Sequence, residues 1–271
     1  MKKSLFLFSL VFLVFSCKTN PFTGKKTLNF YPNSQIFPMS FQQYNQVLTE
    51  SKVIKGTNDA EMVKKVGQRI ANAAERWLTA NGYPGYLKDY RWEYNLINSD
   101  QVNAWAMPGG KIAVYTGILP ITQSETGLAV VLGHEVAHAL ADHGAQRMSA
   151  GTLQQVGAVA GNVALSKDDE NRQLFNVAYG VGSNVLGMLP FSRGHESEAD
   201  AIGIQIMAIA GYNPYEAPEL WKRMKAKSGG QAPPEFLSTH PSNDTRIKNL
   251  TDLAPKATEE AKKYGVTKFQ K

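Results

Sequence analysis

Two histidines four residues apart, with a glutamate directly after the first, stand at the centre of this 271-residue chain, where HEVAH occupies residues 134–138. On a helix, side chains four apart lie within about 40° of each other around the axis, so His134 and His138 face the same way and can grip one cation. Glu135 falls at the edge of that face, where a carboxylate can take a proton from metal-activated water without binding the metal itself. A catalytic zinc takes three protein ligands and keeps a fourth position open. The third ligand must come from elsewhere, and ESEAD, beginning 58 residues after His138, supplies Glu196. Asp200 shares the face of Glu196 and is suited to accept the second ring N–H of a zinc-bound histidine. Glu198 points about 200° away from Glu196 and is the poorer ligand. Alone, ESEAD would read as a solvated helix face; behind HEVAH it completes a metal site. Two imidazoles and a carboxylate suit one Zn2+ per chain best.

The segments that must hold these residues read as helices. ETGLAVVLGHEVAHALADHGAQRM has no proline and interleaves Leu128, Val131, Leu132 and Leu140 with small or polar residues. Gly133 weakens it by about 1 kcal/mol and points to a second backbone packed close beside the site. His143 falls about 180° from His134 if the helix continues, which gives it a structural or surface role, and Asp142 lies one turn beyond His138 as a possible partner for the metal ligands. EADAIGIQIMAIAG forms the ligand helix, with His195 before it as a cap or surface residue. A helix capped by Asn58 or Asp59 runs to Asn81-Gly82, and another covers about 217–227. RWEYNLINS and KIAVYTGIL read as strands of a small sheet beside the motif helix. Between them, Asn103, Ala104, Trp105 and Ala106 are candidates for pairing with a substrate backbone as an edge strand; a plain turn with Trp105 in the core fits equally well. Residues 149–193 read as two helices, with a loop at SKDDENRQ that could cover the cleft. A last helix starts at Ser242 or Asn243. The fold class is α+β, mainly helical.

Lys2 and Lys3 followed by LFLFSLVFLVF make residues 1–16 a secretory leader, too short to span a bilayer. VFSC places the only cysteine, Cys17, where a bacterial lipobox would be acylated, so the expected organisation is a signal at 1–16, a lipidated, extended tether at 17–32, one domain at 33–254 and a charged, loosely ordered tail at 255–271. Without the leader the net charge drops from +6 to +4, and no long basic run or nucleic-acid motif is present, so nucleic acid is not an expected partner. No later stretch reaches the length of a membrane span.

HEVAH, ESEAD, NAWAMPGG and STHPSNDTRI, together with NPFTGKK and GYNPYEAPELWKRM, occur in an order that resembles the prenyl-protease-like zinc metallopeptidases, family M48, and most of all its soluble, envelope-located lipoprotein branch. The resemblance implies a gluzincin fold with zinc on His134, His138 and Glu196, Glu135 as general base and Asp200 behind the ligands. It also implies that His240 lies near the metal, as a latch on its open position or a helper in catalysis, with Arg246 following it. Some members of that branch carry a helical-repeat domain after the peptidase, for which this chain is too short. The implied substrates are misfolded or misassembled envelope proteins, met by an enzyme anchored by its N-terminal lipid on the periplasmic face of the outer membrane. Two rivals stand beside this reading: a latched, low-turnover chaperone or assembly factor, and a scaffold whose zinc is closed by four protein ligands.

Overall fold

The computed structural model describes residues 17–183, 188–227, 235–240 and 244–270. The leader lies outside them, as do Ser242 and Asn243. The chain is mainly helical, with a four-stranded sheet and a two-stranded hairpin among the described residues, as the α+β reading expected.

The motif helix, α4 (Glu125–Leu140), is buried over nearly its whole length, because its residues are apolar or small on every side apart from the site itself. Ser124 starts it by accepting the Gly127 N–H. It packs against α2 (Asn58–Ala80), the short α3 (Leu119–Thr122), α7 (Leu189–Ile209), α8 (Glu216–Lys227) and β5 (Ala104–Met107). In α2, Val63, Val66, Ile70, Ala74 and Trp77 recur at helical spacing and are buried; Thr57, one residue before the expected cap, accepts the Ala60 N–H. The sheet runs β3 (Val53–Ile54), β4 (Glu93–Ile97), β6 (Lys111–Tyr115), β5, with β4 and β6 parallel and β5 antiparallel on the edge beside α4. A helix the sequence reading did not single out, α1 (Asn33–Glu50), braces this sheet: Tyr44 donates to the Ile112 carbonyl and Ser40 to that of Pro108.

Three expectations change. Residues 17–32 do not run as a free extended tether. They form a hairpin, β1 (Cys17–Thr19) with β2 (Lys26–Leu28), pinned to the body because Phe22 stacks on Trp77 and the Phe30 N–H donates to Ser149. The helix carrying HEVAH does not reach His143; Asp142 adopts a left-handed conformation (φ 56°) and α5 (His143–Ala164) starts afresh. The chain after Pro255 is not loose. Helix α10 (Asp244–Lys263) runs through it, burying Ala254, Ala257 and Ala261, and Gln270 then bonds to the backbone of Gly211 and Asn213.

The segment between the motifs does form two helices, α5 and α6 (Asp169–Gly182), packed where Gly157 and Gly161 admit the rings of Tyr179 and Phe175. The polar break is their exposed turn, and this hairpin leaves Val156, Val159, Val163, Leu174 and Val177 in solvent. No described helix is long and apolar enough to cross a membrane.

The second backbone expected beside Gly133 belongs to α7. A β-carbon on Gly203 would lie 2.8 Å from the Gly133 carbonyl carbon and 2.9 Å from the His134 nitrogen, backbone atoms with no freedom to yield. Helix propensity would return up to about 1 kcal/mol to a Gly203→Ala variant, against an overpacking cost of about 1–3 kcal/mol. Gly203→Ala should therefore lower the urea midpoint of unfolding; a midpoint at or above that of the parent would contradict this contact.

Candidate metal centre

Because α4 and α7 touch at Gly133 and Gly203, one turn of each helix presents its polar face to the other. From α4, His134 Nε2 and His138 Nε2 lie 3.1 Å apart. From α7, Glu196 brings Oε2 to 3.3 Å from His134 Nε2 and Oε1 to 3.3 Å from His138 Nε2. Four ligand atoms, one each from His134, His138, Glu196 and His240, lie within 4.8 Å of one another. Donors on a tetrahedral zinc with bonds of about 2.0–2.1 Å are separated by about 3.3 Å, so these spacings fit that ion. His240 follows α9 (Glu235–Thr239); its Nδ1 is 3.1 Å from His134 Nε2 and 2.8 Å from Glu196 Oε2, at the corner where a fourth ligand would sit.

Asp200 Oδ1 lies 3.0 Å from His134 Nδ1 and accepts from Arg246 Nη2 at 2.7 Å. The Arg246 guanidinium lies 3.5 Å from the centre of the Trp221 ring, which completes its cage. Burial disfavours a charged Glu196, yet hydrogen bonds from His134, His138 and His240 hold its carboxyl well below the usual range. Burial likewise opposes charge on Asp200 and is outweighed by Arg246, so its carboxyl is also lowered. For His134, burial and Arg246 work against protonation, but hydrogen bonds to Asp200 and Glu196 raise it to about 9. Burial pushes His138 well below the ordinary histidine value. Glu196 and Asp200 both lie against one guanidinium, that of Arg246, and Glu135 is buried in the same pocket beside His240. A divalent cation replacing the His134 proton would balance them.

Glu135 is buried, with one oxygen fixed and one open. Its Oε2 accepts the Ala106 N–H at 3.2 Å, while Oε1 has no hydrogen-bond partner among the described residues, His240 Nε2 being 3.4 Å away. The bond to Ala106 follows from register. With Trp105 opposite Ala113 and the Tyr115 N–H on the Asn103 carbonyl, Asn103 and Trp105 bond to β6, so Ala104 and Ala106 turn their backbone groups off the sheet. Trp105 is half-buried, edge-on to Tyr44. The stretch is therefore an edge strand, and its tryptophan also packs.

The sequence reading missed a second ring of residues. His143 is fully buried, its Nδ1 2.8 Å from His138 Nδ1 and its Nε2 3.8 Å from Glu198 Oε1. His195 lies inside α7 rather than before it, and is neither cap nor surface: it stacks on His143 at 4.0 Å and bonds Gln146. Asp142 faces away from the cluster, paired with Lys18. The break at Asp142 is what turns His143 inward, and aspartate is one of the few residues that enters the left-handed region readily. That signal is too weak to read ahead of the structure.

Burial, helped by positive charge at His143 and Arg147, depresses His195 to about 3, and burial also lowers His143. An unfolded histidine near 6.5 binds protons that these refuse, so their contribution to stability is intact above about 6.5 and is lost as pH falls. The raised His134 acts in the opposite sense, contributing fully below about 6.5 and losing that contribution as pH rises towards 9, so it adds no slope between pH 6.5 and 5. Metal-free protein should lose stability from pH 6.5 to 5 by up to about 1.4 kcal/mol per unit for each such histidine. Thermal melts across that range should show a shallower slope for His195→Gln; an equal slope would contradict the assignment.

The sequence pattern of peptidase family M48 matches residues 59–254. The mitochondrial metalloendopeptidase OMA1 of Schizosaccharomyces pombe is 38% identical over 190 residues, 69% of this chain and 53% of that protein. Its Saccharomyces cerevisiae namesake is 36% identical over 209 residues, 73% of this chain and 56% of that protein. The β-barrel assembly-enhancing protease of Escherichia coli is 29% identical over 168 residues, 60% of this chain and 34% of that protein. The chain spans about half the length of the two mitochondrial relatives. Those relatives match at higher identity than the assembly-enhancing protease does, so identity does not single out the envelope lipoprotein branch suggested by the sequence. The matched region includes HEVAH, ESEAD and His240, and the chain belongs to peptidase family M48.

Proposed function

We propose that this protein is a zinc-dependent endopeptidase, with His134, His138 and Glu196 holding the metal and Glu135 acting as general base. The observation that carries this reading is the asymmetry of Glu135, whose Oε2 is tied to Ala106 and whose Oε1 is unbonded beside the ligand cluster. A zinc ion in that cluster supplies Lewis acidity to water and to the scissile carbonyl. Glu135 Oε1 takes the proton released from water and passes it to the leaving nitrogen. Asp200 and Arg246 hold His134 in place. The outward backbone groups of Ala104 and the Ala106 carbonyl, the Ala106 N–H being held by Glu135, offer a rail for an extended substrate alongside Asn103 and Trp105.

The finer assignment is a lipid-anchored enzyme of the bacterial envelope, on the periplasmic face of the outer membrane, acting on misfolded or misassembled envelope proteins. The leader, the VFSC sequence and the exposed Cys17 at the start of β1 support it, as does similarity to proteins named for β-barrel assembly. A second reading, the latched factor with little turnover, is favoured by one observation: His240 Nδ1 already stands where the fourth ligand would be.

Casein cleavage by zinc-loaded, detergent-solubilised protein tests both. Glu135→Gln and chelator should each abolish cleavage, the former by at least about 100-fold, and His240→Ala should raise turnover. No cleavage by any zinc-loaded form would overturn the peptidase reading, and a function that survives Glu135→Gln would favour the binding protein.

A further inference from the structure

A histidine that binds metal through Nε2 keeps its proton on Nδ1, and that N–H needs an acceptor held in one orientation. His134 has such an acceptor in Asp200. Among the described residues His138 has no carboxylate on that side; its Nδ1 meets His143 Nδ1 at 2.8 Å. Only one of two facing ring nitrogens can carry the proton. If His138 donates, His143 must accept on Nδ1 and carry its own proton on Nε2, which makes no hydrogen bond among the described residues but lies beside the negative charge of Glu198, 3.8 Å from its Oε1. His195, stacked on His143, fixes the plane of that ring.

Glu198 is in turn held by the N-terminal hairpin. Asn20 donates to its Oε1, and Lys25 Nζ lies 3.2 Å from its Oε2. Asn20 is itself buried at the turn of that hairpin: its N–H bonds the Lys25 carbonyl, its carbonyl accepts from Gly24 and its side-chain oxygen from Phe22. We propose that His143 is the positioning residue for His138, and that Glu198 and the Asn20 turn fix its tautomer, making the hairpin that follows Cys17 part of the metal site. The inference rests on the zinc-site reading above. It gives Glu198 a role, although this carboxylate points away from the ligands, and it gives two buried histidines outside the ligand set a common purpose.

The test is zinc affinity of the full chain, measured by competition with a chromophoric chelator, together with the visible spectrum of the cobalt-loaded protein. His143→Ala removes the acceptor and should weaken zinc binding about 10–100-fold. In His143→Asn the side-chain oxygen takes the place of Nδ1, so affinity should return to within about threefold of the parent. Asn20→Ala, remote from the ligands, should weaken binding by about three- to tenfold. The cobalt spectrum should change in His143→Ala and be restored in His143→Asn. Parent-like affinity in both His143→Ala and Asn20→Ala overturns the proposal, and so does His143→Asn binding as weakly as His143→Ala. Should His143→Ala not fold, His143→Asn and Asn20→Ala decide by the same measures. A parent protein that takes up no zinc would overturn the reading of the site itself, and this inference with it.

Discussion

The contact between Gly133 and Gly203 sets everything else. Where two helices meet at glycine, their backbones approach more closely than any side chain would allow, and here the contact lies next to His134 and three residues from Asp200. The position of Glu196 against His134 and His138 is thus a property of helix packing. Burial of α4 on all sides and of the apolar residues of α7 holds the crossing rigid. A constellation built on packed helices keeps its geometry better than one carried by loops.

Charge is the second constraint. Carboxyl groups at positions 135, 196 and 200 cluster with histidines in a pocket from which most water is excluded. Arg246, sandwiched against Trp221, and the raised His134 compensate part of that charge. Such a cluster is costly for the fold unless a cation joins it, which is the usual mark of a site built for binding rather than for stability. The surrounding partners divide by histidine: Asp200 and Arg246 contact His134, and His143, beside Glu198, faces His138.

Much of this was legible in the sequence, for identifiable reasons. Spacing alone placed His134 with His138 and Glu196 with Asp200, because helical periodicity is local. Gly133 announced a close backbone neighbour, because glycine at that point of a helix has little other use. The strands at 93–97 and 111–115 showed in their β-branched and aromatic runs. What escaped depends on tertiary structure. The left-handed Asp142 carries no glycine or proline signal, so His143 was placed on the far side of a continuous helix, in a structural or surface role, and its contact with His138 did not show. The start of α7 near Leu189 moved His195 indoors. Helix α1 contains Pro38, which interrupts a helical sequence pattern, and the tail after Pro255 is tied down by partners on α7 and the turn after it, far away in sequence.

The central claim is that α4 and α7 assemble one zinc site from two imidazoles and a carboxylate, with His240 at its fourth corner. X-ray absorption at the zinc edge on the loaded protein measures that directly. The account predicts one zinc per chain in a four-coordinate shell of nitrogen and oxygen at about 2.0–2.1 Å. It predicts the scattering signature of at least two imidazoles, from His134 and His138; a third in the parent that is lost in His240→Ala marks the latched form. A sulfur ligand, fewer than two imidazoles, or no stoichiometric zinc would contradict it.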